Sequence, residues 1–331
     1  MKAEAVAFLT ENDFVHAVRQ PLPADASFRR YTRLVGGPRP ALLMEAPPPQ
    51  EDLGPFLRVA AHLAEAGLSA PEVLAADPRQ GFAIIEDFGA HTMAQLLDAG
   101  AEAAPLYLAA TAALARLHAV PPPANLPAWD AARMADTAAA TFLEWWWPAA
   151  FGEPPSEAIG EEFGLAIHAM LAPYAAAGFV HRDFFPANLM PLPGRAPPAD
   201  MGLLDFQDAA LGHPAYDLVS LVEDARRDVD PAVREACIAR YLALRPELDP
   251  QEFRGAMAAH AAQRHLRVAC LWVRLAQRDG KPHYLRHGPR CWALLGQALQ
   301  HAAAAPLAEF LDRHVPPALR GNPAGLEAEA A

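Results

Sequence analysis

Lysine is almost missing from this chain: of 331 residues, only Lys2 and Lys281 are lysine. No side chain between those positions can supply a lysine ammonium to a site. Cationic work over that span falls to arginine. No GxGxxG loop is present either, so any approach of backbone N–H groups to a phosphate falls to other small residues. Cysteine is scarce, at Cys237, Cys270 and Cys291. An odd number, widely spaced and without CxxC, supports neither a disulfide framework nor a thiolate metal site, so buried reduced thiols are expected. No stretch approaches the ~18–20 apolar residues of a membrane span. The opening Met1 to Glu11 has too short an apolar run and too early an acid for a secretory signal. A soluble, cytoplasmic protein without a membrane partner is expected. Basic residues number 27 against 39 acidic, a formal charge of −12, which disfavours the basic patches of a nucleic-acid surface.

Hydrophobic residues make up 53% of the chain, and its length allows one large core or two modest ones. An opening helix is expected over 3–19. A small-residue turn, Asp25-Ala26-Ser27-Phe28-Arg29-Arg30-Tyr31, then runs into an alternating strand, and Gly36-Gly37 turns it back into a strand over 41–45. Phe56, Val59, Ala60 and Leu63 recur at helical spacing and Gly67 closes that helix. Strands over 73–76 and 82–85 complete a small antiparallel lobe. Helical periodicity or composition then dominates, over 92–97, 103–118, 131–147 and 157–177, and again over 216–224, 231–244, 251–278 and 289–304. The pattern predicts an α+β fold with an N-terminal lobe over 1–88, a helical lobe over 89–315 and a frayed tail over 316–331, rich in Pro, Gly, Ala and Glu.

Between those helical segments lies Val180-His181-Arg182-Asp183-Phe184-Phe185-Pro186-Ala187-Asn188, followed by Leu203-Leu204-Asp205-Phe206. Phosphoryl transfer needs an acceptor hydroxyl held near a carboxylate and Mg²⁺ held against the β- and γ-phosphates. In the HRDxxxxN arrangement the Asp meets the hydroxyl and the Asn five residues later turns to the metal. That order makes Asp183 the candidate catalytic base and Asn188 and Asp205 the candidate metal ligands, with His181 holding the loop backbone.

A β-rich lobe followed by a helical lobe bearing these motifs resembles the protein-kinase-like bilobal fold in its small-molecule branch, the aminoglycoside phosphotransferase and choline kinase families. The resemblance implies ATP and Mg²⁺ as cofactors. Gly212-His213-Pro214-Ala215-Tyr216-Asp217 is also similar to that branch, which implies that Asp217 supports the catalytic loop. The lysine expected on the third strand has Met44 in its place, leaving Arg29 and Arg30 as nearby phosphate candidates, of which alternation lets at most one point at the nucleotide. Small residues around Ser27 and Phe28 stand where a glycine-rich loop would be. Ile84-Ile85-Glu86-Asp87-Phe88 reads as the hinge, with backbone groups near Glu86 and Phe88 for adenine.

Several separated segments, among them Met44-Glu45-Ala46-Pro47-Pro48 and Gln263-Arg264-His265-Leu266-Arg267, resemble the anomeric sugar kinases that act on N-acetylmuramate and N-acetylglucosamine in peptidoglycan recycling. This implies a small-molecule amino-sugar substrate and an α-1-phosphate product that a sugar-1-phosphate uridylyltransferase consumes. Glu144 and Trp147, within Glu144-Trp145-Trp146-Trp147, are candidates for sugar hydroxyls and stacking. Arg264 is a candidate for a lactyl carboxylate. An aminoglycoside, choline-like or homoserine-like kinase would share the same catalytic residues, and a pseudokinase remains open because the strand lysine is missing.

Overall fold

The computed structural model describes residues 3–23 and 28–326; Ser27 lies outside them. The chain forms two compact units, Met1–Pro123 with Pro186–Ala209 and Ala124–Phe185 with Ala210–Ala331.

In the first unit, helix α1 (Ala3–Glu11) is followed by strands β1 (Val18–Pro21), β2 (Arg30–Val35) and β3 (Ala41–Glu45), helix α2 (Leu53–Glu65) and strands β4 (Val73–Asp77) and β5 (Phe82–Glu86). The strands pair in the order β1-β2-β3-β5-β4, all antiparallel. Leu34, Leu43 and Ile84 pack with Phe8 and Leu9 of α1 in one core. The opening helix stops well short of residue 19. The Asn12 amide donates to the Phe8 carbonyl, and Asp13 turns left-handed at φ 65°, a conformation that Asn and Asp tolerate best after Gly. Residues 18–21 are thereby released to extend the sheet.

Asp52 caps α2 by accepting from the Gly54 N–H, and Leu53, Phe56, Val59, Ala60 and Leu63 form its buried stripe. Helix α3 (Met93–Asp98) opens with a capping box between Thr92 and Gln95, and α4 (Ala103–Ala119) follows. A hairpin of Leu189–Pro191 with Met201–Leu203 completes this unit, its Leu203 N–H donating to the Ser69 carbonyl at 2.7 Å. Gly202 in this hairpin is required sterically, because a Cβ there would sit 2.7 Å from the Phe88 ring.

The second unit contains a three-stranded sheet in the order Ala128–Trp129, Ala210–Gly212, Gly178–Val180. Its helices are α5 (Ala131–Thr141), α6 (Trp147–Phe151), α7 (Glu157–Leu171), α8 (Ala215–Val222), α9 (Pro231–Leu244), α10 (Pro250–Asp279), α11 (Gly288–Ala298) and α12 (Ala305–His314). The helix expected over 131–147 is broken by a π-helical stretch, Phe142–Trp146. The wider turn lets Phe142, Trp146 and Trp147 all be buried, with Phe142 at 5.2 Å from Trp146 and 5.1 Å from Phe163 between ring centres. Helix α10 runs for 30 residues, capped by Asp249 and ended by left-handed Gly280. The stretch over 316–326 was expected to fray but is tied down: Trp146 Nε1 donates to the Gly321 carbonyl and Asn322 Nδ2 to the Leu285 carbonyl, both at 2.8 Å.

Candidate active site

The first unit brings together the candidate metal ligands. Register does this: Leu189 pairs with Leu203, and the Asn188 carbonyl accepts from the Leu204 N–H at 3.0 Å, so Asp205 follows one residue beyond the Asn188 partner. Asp205 is exposed and held at φ 59°, with Oδ1 accepting from Gln207 Nε2 at 2.7 Å. The next residue, Phe206, is fully buried and stacks on Phe56 of α2 at 5.0 Å, which fixes the turn. Two oxygen donors with a full negative charge suit Mg²⁺, which keeps waters and substrate phosphates in its shell and rarely takes an all-protein cage.

Around the same unit's sheet, Glu51 clamps the turn into β2. Its carboxylate accepts from the Phe28 N–H at 3.1 Å and from Arg29 Nε at 3.0 Å. Phe28 itself is 66% exposed. Burial raises the Tyr31 hydroxyl above its ordinary pKa; Asp205 adds to this and Arg29 opposes it. Arg29, Tyr31 and Asp205 therefore share one electrostatic neighbourhood. Tyr31 was missed in the sequence, although Arg29, Tyr31 and Arg33 have the same parity along a strand, and Arg30 the other. Met44 pairs with Tyr31 and Ala83 and is fully buried; its thioether carries no donor for a phosphate.

At the expected hinge, Arg33 donates to both Asp87 oxygens, at 2.5 and 3.0 Å, and to the Gly89 carbonyl at 2.6 Å. Glu86 spends its N–H on the Glu72 carbonyl and its carboxylate on Arg195. Among the described residues no protein acceptor takes the Phe88 N–H. Arg195 also lies over the Phe88 ring, 5.2 Å from its centre.

In the second unit, Asp217 organises the loop that carries Asp183. It is fully buried in the first turn of α8, and its two oxygens accept from the His181 N–H at 2.6 Å and the Arg182 N–H at 2.9 Å. Arg182 sits at φ 75°, a left-handed conformation costing roughly 1–2 kcal/mol for a non-glycine residue; the paired carboxylate hydrogen bonds hold it there. His181 plays a different part from the one expected. Its ring is buried edge-on against Phe184, and neither ring nitrogen has a partner among the described residues. The carboxylate, not the imidazole, holds the backbone. Asp183 is thus presented from a rigid turn, partly exposed.

Arg267 of α10 is a second residue the sequence under-weighted. It donates to the Tyr216 hydroxyl at 3.1 Å, lies 5.9 Å from the Trp129 ring centre and shares an electrostatic interaction with Asp183. Arg182 covers the same indole at 4.2 Å. The acceptor candidates fare unequally. Trp147 is 5% exposed and packs on Phe151 at 4.5 Å, so its face is spent in the core. Glu144 lies exposed. Arg264 is 3% exposed, its Nε and Nη1 have no partner among the described residues, and it acts electrostatically on buried Asp224. Along α10, Arg264 is buried, Arg267 and Arg274 are half-buried and Arg278 is exposed.

A profile of the phosphotransferase enzyme family (APH) matches residues 18–252. A Caulobacter vibrioides protein named N-acetylmuramate/N-acetylglucosamine kinase is 38% identical, the match covering 95% of this chain and 97% of that protein. A Pseudomonas aeruginosa protein of the same name is 35% identical over 88% and 87%. Among solved structures, a choline/ethanolamine kinase family protein from Mesorhizobium loti superposes with a TM-score of 0.63 at 17% identity, over 94% of this chain and 98% of that one. The GDP complex of wild-type aminoglycoside 2'-phosphotransferase-IIIa gives 0.59 at 14% identity, over 89% and 97%. These two likenesses show the fold. No described helix is long and apolar enough to cross a membrane.

Proposed function

This chain belongs to the phosphotransferase enzyme family, and from that premise we propose that it transfers the γ-phosphoryl group of ATP to the anomeric hydroxyl of N-acetylmuramate and N-acetylglucosamine. The observation that carries the reading is the loop held by Asp217, which presents Asp183 on the motif of a phosphoryl-transfer base. Full-length relatives bearing that substrate name support the choice of acceptor.

The sugar hydroxyl oxygen forms the new bond to the γ-phosphorus as the bond from that phosphorus to the β–γ bridging oxygen breaks. The hydroxyl proton passes to the Asp183 carboxylate, and ADP leaves. Mg²⁺, when bound, neutralises charge on the β- and γ-phosphates, and Asn188 and Asp205 would hold it. With no lysine available, Arg29 is the better placed of the two candidate arginines for a phosphate, since it shares the surroundings of Tyr31 and Asp205. The Phe88 N–H is a donor for adenine. Residues 1–88 would carry nucleotide binding and 89–315 the catalytic loop and acceptor pocket. The reaction belongs in the cytoplasm, where ATP is, and its α-1-phosphate product suits a uridylyltransferase that builds nucleotide sugars.

The test is incubation of purified protein with ATP and Mg²⁺ against N-acetylmuramate, N-acetylglucosamine, kanamycin and choline, followed by phosphorus NMR. The expected product signal is that of an anomeric sugar phosphate. Transfer to kanamycin or choline alone would overturn the acceptor assignment. Asp183→Asn should lower kcat by about 10²–10⁴ while leaving ATP affinity within twofold; full activity in that variant would remove Asp183 from the chemistry.

A further inference from the structure

The geometry points to Arg226 as the residue that receives the carboxylate of an acidic acceptor, and hence as the group that separates N-acetylmuramate from N-acetylglucosamine. This rests on the kinase reading above, because the two sugars differ by one lactyl ether and its negative charge.

Arg226 lies exposed in the loop between α8 and α9. Its guanidinium carbon is 4.8 Å from the centre of the Phe185 ring and 5.2 Å from that of Trp272. Phe185 stands two residues after Asp183 and donates its N–H to the Asp183 carbonyl at 3.1 Å. The two are thus separated by no more than about 7 Å of backbone, the scale of one sugar ring. Contact with two aromatic rings limits the guanidinium's freedom before any ligand arrives.

The loop is built to hold this position. Buried Asp224 accepts from the Arg226 N–H at 2.9 Å, and the Cys291 thiol reaches the Ala225 carbonyl at 3.8 Å. Asp224 is the acid that interacts electrostatically with Arg226, and it is shared with Arg264 and Arg227; Asp228 is committed to Arg290 through bonds of 2.5 and 3.0 Å. Among the described residues no carboxylate takes a guanidinium N–H of Arg226. His287, held near a pKa of about 4 by burial, also feels Arg286, Arg226, Arg290 and His283. The guanidinium is thus held against two aromatic rings, one of them two residues from the candidate base, without an ion pair of its own in a chain of net charge −12.

Steady-state kinetics of wild type, Arg226→Met and Arg226→Lys on both sugars, at saturating ATP and then with ATP varied, tests this. The expected result for Arg226→Met is a loss of about 10-fold or more in kcat/KM for N-acetylmuramate, a change under twofold for N-acetylglucosamine, and partial recovery in Arg226→Lys. Equal losses on both sugars, no loss on either, or a raised KM for ATP would each overturn the assignment, the last by making the residue a phosphate ligand. If wild type turns over neither sugar, the sugar-kinase reading falls and takes this inference with it; if wild type turns over both, only the inference is at stake.

Discussion

Asp217 shows how one buried carboxylate can fix the conformation of a loop. It neutralises two adjacent N–H groups and so stabilises Arg182 in a left-handed turn that would otherwise relax. Asp217→Asn keeps the shape but has one acceptor oxygen instead of two, and turns its NH₂ toward an N–H. The expected cost is about 1.5–3 kcal/mol of folding stability, read by urea denaturation, with kcat reduced more than 10-fold and ATP affinity unchanged by calorimetry. Asp205→Asn, by contrast, removes charge from an exposed position. It should leave stability within about 0.5 kcal/mol and raise the Mg²⁺ concentration needed for half-maximal turnover. At this scale the closeness of Asn188 and Asp205 was legible, since one short hairpin joins them; the roles proposed for them and for Asp183 rest on the motif. The sequence was poorly legible for Trp147 and Arg264, whose burial depends on segments far away in the chain.

Among the elements, α10 illustrates a length set by local signals and an orientation set by packing. Asp249, Pro250 and Gly280 delimit it as expected from capping rules. Which face turns inward is decided by neighbours such as Tyr174, whose hydroxyl would lie 2.6 Å from a Cβ at Gly255. Gly255→Ala, though favourable for an isolated helix, should therefore destabilise the protein by about 1–3 kcal/mol, measured as a fall in the urea midpoint. The chain end gives a second test. Asn322→Ala removes the bond to the Leu285 carbonyl and should cost about 1 kcal/mol, whereas a frayed tail would make it silent. Composition could not reveal this anchoring, because a segment rich in Pro, Gly and Ala becomes ordered only when the bulk of the fold supplies partners such as Trp146.

For the molecule as a whole, buried His260 makes stability depend on pH in weak acid. Burial depresses His260 from its ordinary value of 6.5 to about 4, partly offset by the Ala256 carbonyl. The unfolded chain binds this proton below pH 6.5 and the native protein only near pH 4. Stability is therefore present above pH 6.5 and is lost as pH falls through that window, by about 3 kcal/mol. Burial would raise the Glu223 carboxyl, but His265 and Arg234 bring it down to about 2, so its contribution is lost only in stronger acid. Chemical denaturation at pH 7, 5.5 and 4.5 should show His260→Leu with a flatter loss than wild type.

The sequence by itself determined the family, the α+β composition and the helix and strand periods, because each is written in short-range spacing along a single loop, strand or helix. Tertiary structure decided the rest. It seated the hairpin over 189–203 with the N-terminal sheet through Ser69, gave the loop-holding task to Asp217 instead of His181, sank Trp147 and Arg264 into the interior and left Arg226 exposed between two aromatic rings. Those outcomes follow from which distant side chains bury together, and no local pattern records that.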